Sequence, residues 1–466
     1  MKYLILFTCL IISDLVGAAD YPLAQTSCGG FPQAKIGTSE GVCAGVVSQA
    51  GLGAQWLKPR RIVQVPSTQK FIITDMGGWK RGRGVVWLLD SAVKPAKLTA
   101  LISDLKLPHG LELGPDGLFY VGETDRIFRF RLRDNKAVEV ETIIRGLPDF
   151  DSHNHPLTHF IFDHQSNLIV NVGAPSDQCQ EDKEKVFCSA INSNNSTHAA
   201  VRRYTYNALL KSWSPHYEVV ASGLRNSMAL ASHSSGTLLQ AENSIDLPEL
   251  EQPFEEINRI DTGGFFGWPY CYDNNKVNQL WLSQGRKICA APSKHKQPWV
   301  LMPAHAAPLD MRYYTGNMFP ELKGQLLISW HGYRETGHRL VSYAVDEEGL
   351  PLRSDNAHYL IDSEKQGNNN GVFTRRPFPA VVNTAQAKEI ISQMNEISGI
   401  RPMGRPAGMT IAEDGAIWLL DDVNKSLLRL VSGAPYQAVI DSSGNPEKIQ
   451  VKSSKVAKVF LSRCQQ

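Results

Sequence analysis

Residues 405–422 read RPAGMTIAEDGAIWLLDD, and the fold follows from how that stretch is built. A Pro-flanked apolar run, a polar Asp-Gly turn and a second apolar run ending on acids describe two short antiparallel strands with a tight turn between them. The same grammar recurs upstream. Pro108-His109-Gly110 leads through Pro115-Asp116-Gly117 to the run 119–123, and Lys58-Pro59-Arg60 leads to 71–75. Residues 155–162 lead to 168–172, Leu224-Arg225-Asn226 to 237–242, and 305–308 to 325–330. A unit of this kind cannot bury both of its faces alone, so the units must stack about an axis. The expectation is an all-β, six-bladed β-propeller over residues 58–432, with long inter-strand loop insertions. The strands are rich in β-branched and aromatic residues, and helical periodicity suggests only one short helix, around 385–397.

Spacing between units is regular at first and then widens, which places insertions at 175–200, 243–300 and 362–403, the last containing Gly367-Asn368-Asn369-Asn370-Gly371. In propellers such loops wall the mouth of the central site. Outside the repeat, Lys2, an apolar run and Val16-Gly17-Ala18 read as a signal peptide over 1–18. Residues 19–57 read as an N-terminal extension and 433–466 as a C-terminal tail. The leader's apolar run is shorter than the roughly 20 residues a spanning helix needs. The expected protein is therefore exported, periplasmic or extracellular, with no membrane span.

Cysteine usage agrees with export. Cys9 falls in the leader, and six others form close pairs, Cys28/Cys43, Cys179/Cys188 and Cys271/Cys289, leaving Cys464 over. Local disulfides are the natural reading. There is no CxxC zinc spacing and no CxxCH haem attachment. No GxGxxG follows a strand and opens a helix, which argues against a nicotinamide cofactor. With 48 basic and 46 acidic side chains the net charge is +2, which gives no electrostatic case for nucleic acid.

Each unit begins with a cationic or imidazole residue: Arg60, His109, His155, Arg225, His305 and Arg405. Singly, an Arg is usually a surface ion pair and a His a satisfied loop residue. At equivalent positions of six blades they would ring one mouth, an arrangement suited to a small polyanion and proton chemistry.

Four stretches in order resemble the soluble PQQ-dependent glucose/sorbosone dehydrogenase family, in its aldose and pyranose branch. They are Leu224-Arg225-Asn226-Ser227-Met228-Ala229; Glu255-Glu256-Ile257-Asn258 with Gly267-Trp268-Pro269; His305-Ala306-Ala307-Pro308 with Trp330-His331-Gly332; and Arg405-Pro406-Ala407-Gly408 through Asp421-Asp422. The resemblance implies pyrroloquinoline quinone (PQQ) and calcium as cofactors. It makes His155 the general base, with His153 and His159 as neighbours that could be confused with it, and puts Arg225 beside the quinone carbonyl with Asn226 adjacent. Arg405 would contact a cofactor carboxylate, with Arg60, His331 and Arg334 as further candidates. The sequence departs from the family at His331-Gly332-Tyr333-Arg334, where the branch reads HGSW. Calcium would take backbone carbonyls near Ser244-Ile245, with Asn243, Asp246, Glu255 and Glu256 close by. The substrate would be a small sugar or alcohol and the electrons would leave to an external acceptor, a cytochrome, quinone or dye. The alternatives are a calcium-dependent propeller hydrolase of lactonase type, which needs acidic ligands converging on the axis, and a non-catalytic binding propeller.

Overall fold

The structure, a computed structural model, describes residues 20–149, 154–191, 198–291, 293–332, 334, 336–362, 373–379, 383–394 and 404–436. The leader, His153, the Gly-Asn run at 367–371 and Cys464 lie outside the described residues.

Six sheets stand around a common axis, antiparallel throughout except for a short parallel pairing of Gly264–Phe265 at the outer edge of the third. Blade 1 runs Pro59–Gln64, Lys70–Asp75, Gly84–Asp90, Lys97–Leu105, and blade 2 runs Leu111–Leu113, Phe119–Gly122, Arg126–Arg133, Lys136–Arg145. Blades 3, 4 and 5 start with Phe160–Phe162, Ala229–Ser232 and Pro308–Tyr313, and blade 6 with Pro406–Ile411. These six first strands touch one another in cyclic order, the sixth meeting the first, so the ring is closed.

Alternation explains the stacking. In the second strand of blade 1, Phe71 and Ile73 pack with Trp418, Leu420 and Leu427 of blade 6. Ile72, between them, packs with Leu111, Phe119 and Val121 of blade 2. A period of two sends successive side chains to opposite faces, so one apolar strand serves two inter-blade cores. Each fully buried Phe or Ile there contributes about 1.5–3 kcal/mol.

Ring closure comes from a segment that the sequence pattern leaves outside the propeller. Val42–Ser48, within the expected extension 19–57, is the fourth strand of blade 6, pairing antiparallel with Ser426–Ser432 from Val42↔Ser432 to Ser48↔Leu427. Phe31–Ala34 and Leu23–Cys28 continue that sheet outward, and the Cys28–Cys43 disulfide stitches it. Cys179–Cys188 and Cys271–Cys289 are likewise disulfides.

Two of the expected insertions carry blade strands. Glu255–Arg259 and Val300–Met302 complete blade 4, so the excursion there is the segment between them, which holds the only α-helix among the described residues, Leu282–Cys289. The helix expected around 385–397 is instead a strand, Ala387–Gln393, paired with Arg339–Tyr343 in blade 5. Ala, Lys and Glu favour helix locally, but a free sheet edge and burial of Ile390 and Ile391 decide otherwise.

Candidate active site

The segments entering each first strand and the loops joining second to third strands meet at one end of the axis, here called the upper mouth. A recurring acid at the end of the second strand ties the two together. Asp75 accepts from Leu57 N (2.9 Å) and Lys58 N (2.7 Å). Glu123 accepts from Lys106 N (2.6 Å), and Asp421 from Arg405 N (3.0 Å). Glu242 accepts from the backbone N–H groups of Arg225 and Asn226. These carboxylates satisfy backbone donors that burial would otherwise orphan.

His155 is half-buried, and its Nδ1 lies 2.8 Å from Ala174 O. A carbonyl only accepts, so the ring proton sits on Nδ1 and the lone pair on Nε2. The same peptide unit reaches Arg225, since Ala174 N donates to Arg225 O at 2.7 Å. Arg225 is nearly buried. Its Nε lies 2.8 Å from Asp177, one terminal nitrogen lies 3.0 Å from Asp246, and the other donates to Asn243 O at 3.1 Å. Asp177 also accepts from Asp246 N (3.0 Å), so the guanidinium ties together the loops after the second strands of blades 3 and 4. Asn226 accepts from Asn171 at 3.4 Å. Between His155 and Asn226 lies Gly173. A Cβ there would come within 2.5 Å of His155 O, 2.6 Å of His155 Cβ and 3.3 Å of Asn226 Oδ1. The glycine keeps these two side chains close, with room for nothing larger than hydrogen.

Across the mouth, the fully buried Asp422 collects Arg60, Lys58 (3.1 Å) and His331 (2.8 Å). The three cationic or imidazole neighbours hold its carboxyl well below the usual range despite burial. Arg60 also lies 3.4 Å from His109. Arg334 lies 3.1 Å from His305 Nε2 and donates to Glu249 O at 3.2 Å, while His305 itself meets Glu249 O at 2.6 Å. Arg405 is half-buried beside Asp421. The six blade-start residues are thus divided among several local networks rather than forming one ring aimed at the axis.

The axis itself belongs to a residue the repeat did not single out. Arg61, 1% exposed, forms an ion pair with Asp310, donates to Met228 O (2.8 Å) and Leu309 O (2.7 Å), and sits 3.1 Å from the His159 ring. Asp310 in turn accepts from Met409 N at 2.7 Å, and its neighbour Arg312 reaches Glu112 at 2.7 Å. The network joins all six first strands. Burial, reinforced by nearby arginines, drives the His109 and His159 rings well below the ordinary histidine range, so both stay neutral. His159 therefore belongs to the buried plug and not to the mouth.

At the expected metal positions, Ser244 N donates to Glu255 (2.7 Å) and Ile245 packs into an apolar cluster with Trp268 and Tyr270. Ala307 N donates to the other oxygen of Glu255 (3.1 Å), and burial pushes this carboxyl up to about 8. Among the described residues one Cys/Asp group has metal-like spacing, Cys179, Asp182 and Cys188, but both cysteines are spent in their disulfide. Two cavities, of 840 and 390 Å³, open at the other end of the molecule, away from His155.

A family model described as TrAA12-like matches residues 47–431. The chain belongs to the TrAA12-like family. Among solved structures, a calcium structure of a Trichoderma reesei Carbohydrate-Active Enzymes Family AA12 protein superposes on this TrAA12-like chain with a TM-score of 0.62 at 18% identity, covering 86% of this chain and 98% of that one. The holo PQQ domain of a Coprinopsis cinerea pyranose dehydrogenase gives 0.61 at 18% identity, covering 87% and 100%. In sequence, the chain is 23% identical over 318 residues to a pyrroloquinoline quinone-dependent pyranose dehydrogenase of C. cinerea, covering 58% of this chain and 42% of that protein. It is also 25% identical over 280 residues to an uncharacterized protein of Borreliella burgdorferi, covering 56% of this chain and 67% of that protein.

Proposed function

We propose that this chain oxidises a hydroxyl of a sugar or related alcohol, using PQQ and calcium and passing electrons to an external acceptor. The observation that carries the reading is the His155 Nδ1 contact with Ala174 O, which holds the ring one peptide away from Arg225 and, in the neutral ring, puts the lone pair on Nε2. A neutral imidazole so oriented can take the substrate's hydroxyl proton. PQQ, when bound, supplies the hydride acceptor for the carbon-bound hydrogen, with calcium as Lewis acid on its carbonyl.

The chain's residues fit such a group. Gly173 lets His155 and Asn226 come close together, which sets the proposed base beside the amide that would contact the cofactor. Arg225 holds a fixed cation there, and its partner Asp246 is 83% exposed and easily exchanged for a ligand oxygen. Arg405, Arg60, His331 and Arg334 are the carboxylate-binding set. Arg405 is the best match for such a contact, and Arg60 and His331 share Asp422. Backbone carbonyls of Ser244 and Ile245 are the proposed calcium ligands, held by the Glu255 clamp on Ser244 N. Export is part of the proposal, and the three disulfides support it. No described helix is long and apolar enough to cross a membrane. The hydrolase alternative loses support because Asp75, Glu123, Glu242 and Asp421 each turn to backbone N–H groups.

The test is dye reduction by the protein with PQQ and calcium added separately and together, across aldoses and simple alcohols, alongside PQQ titration by absorbance. Activity should need both additions, and His155→Ala should lower kcat at least ~100-fold while PQQ still binds. Absence of PQQ binding would overturn the reading.

A further inference from the structure

We propose that the loop 76–83 is the docking surface for an acidic electron-accepting protein, an inference that rests on the oxidoreductase reading above. The loop reads Met76-Gly77-Gly78-Trp79-Lys80-Arg81-Gly82-Arg83 and joins the second and third strands of blade 1 at the upper mouth.

Its neck is closed and its tip is held outward. Gly77, at φ +66°, lies so close to the Arg83 carbonyl that a Cβ would collide with it. Gly77 N donates to Asp75 (2.9 Å), Met76 N to Lys58 O (3.0 Å) and Gly82 N to Leu105 O (3.1 Å). These bonds fix the neck from which the tip projects. That tip carries Trp79, 53% exposed and the only exposed tryptophan among the described residues. Lys80, Arg81 and Arg83 around it are all exposed. Arg81 pairs with Asp149 at 2.8 Å. Lys80 and Arg83 make no ion pair among the described residues, and the exposed Asp104 near the neck pairs with neither.

An indole in water beside two cations that form no ion pair among the described residues is the composition of a protein–protein hot spot with its own steering charge. Its position is on the rim. Lys58, at the neck, binds Asp422 of the mouth, and Asp149 lies in the segment leading to His155. A small substrate must pass the rim to reach His155, whereas a body too large to enter can rest on it. The electron count closes with a one-electron haem acceptor. Conversion of CH–OH to C=O releases two electrons and two protons; two ferric haems become ferrous, and the protons leave to solvent, the first by way of His155.

The experiment uses the protein loaded with PQQ and calcium, with a small neutral dye, a basic cytochrome c, and the same cytochrome with its lysines succinylated. At low salt the succinylated form should be reduced faster than the basic one, and the advantage should fade as salt rises. The Lys80→Glu/Arg83→Glu variant and Trp79→Ala should each cut that rate ~10-fold or more and leave the dye rate unchanged. Direct titration of the unloaded protein with succinylated cytochrome should show binding that the same variants lose. Preference for the basic cytochrome, or wild-type rates and binding in the variants, would overturn the proposal. So would variants that lose binding to polygalacturonate and keep the cytochrome, since the loop would then serve an anionic polysaccharide. Failure of the dye reaction in the unmodified protein would strike the oxidoreductase reading instead, and the titration would still decide the docking surface.

Discussion

Gly173 governs the mouth from beneath it, and Glu256 governs how stability answers pH. At Gly173, a methyl group would press on both the backbone and Cβ of His155. Gly173→Ala should therefore shift the imidazole, and displacement of about 1 Å can cost ~100-fold in rate. The expected result is a large loss of kcat with a destabilisation of only ~1–3 kcal/mol, read by dye reduction and denaturant unfolding. Glu256 is buried in blade 4, where burial first and then Glu242 raise its carboxyl well above the usual value; burial likewise lifts Glu242 to about 7 and Glu255 to about 8. A carboxyl raised in the folded state binds more protons there than in the unfolded chain, so stability falls as pH rises through that window. Melting temperature should decline from pH 5 to 8.5. Glu256→Gln should flatten the decline, gaining stability at pH 8 and changing little at pH 5. The cationic and imidazole residues at the blade starts were legible in sequence, but their partners were not. In the Arg60-Arg61 doublet both side chains are arginine, and only the alternation of the strand sends one to Asp422 and the other to Asp310 on the axis.

At the scale of elements, the closing strand Val42–Ser48 escaped the repeat because it is buried along its whole length. Strands buried on both faces read as continuous apolar runs without alternation. Ala387–Gln393 escaped for the opposite reason, since its local composition favours helix and only its partner strand makes it β. Inner and second strands were legible because their turns carry Gly, Pro and terminal acids. The Cys28–Cys43 link secures the closing sheet across a separation of 15 residues. Opening it by Cys28→Ser/Cys43→Ser should cost ~3 kcal/mol, seen as a lower denaturant midpoint, with the Trp418 environment near Phe31 changing early in fluorescence-detected unfolding.

For the whole molecule, the Arg61–Asp310 network makes the six blades one cooperative object. The ion pair is fully buried and surrounded by backbone acceptors, so removing one partner strands a charge. Asp310→Ala should destabilise by ~3–5 kcal/mol, whereas breaking an exposed pair such as Arg133–Glu139 should leave the unfolding midpoint almost unmoved. Equilibrium unfolding of the two variants checks the contrast. The six-fold plan was readable from the recurrence of turns, but a network that depends on six strands meeting has no signature in any one of them.

Because the other five blades lie between Val42–Ser48 and its partner Ser426–Ser432, the last blade cannot assemble until all of that intervening chain has been made available. Closure of the ring is therefore bound to wait until the chain has emerged through Ser432. Until then the exposed edge of the unfinished blade is the surface most in need of a chaperone.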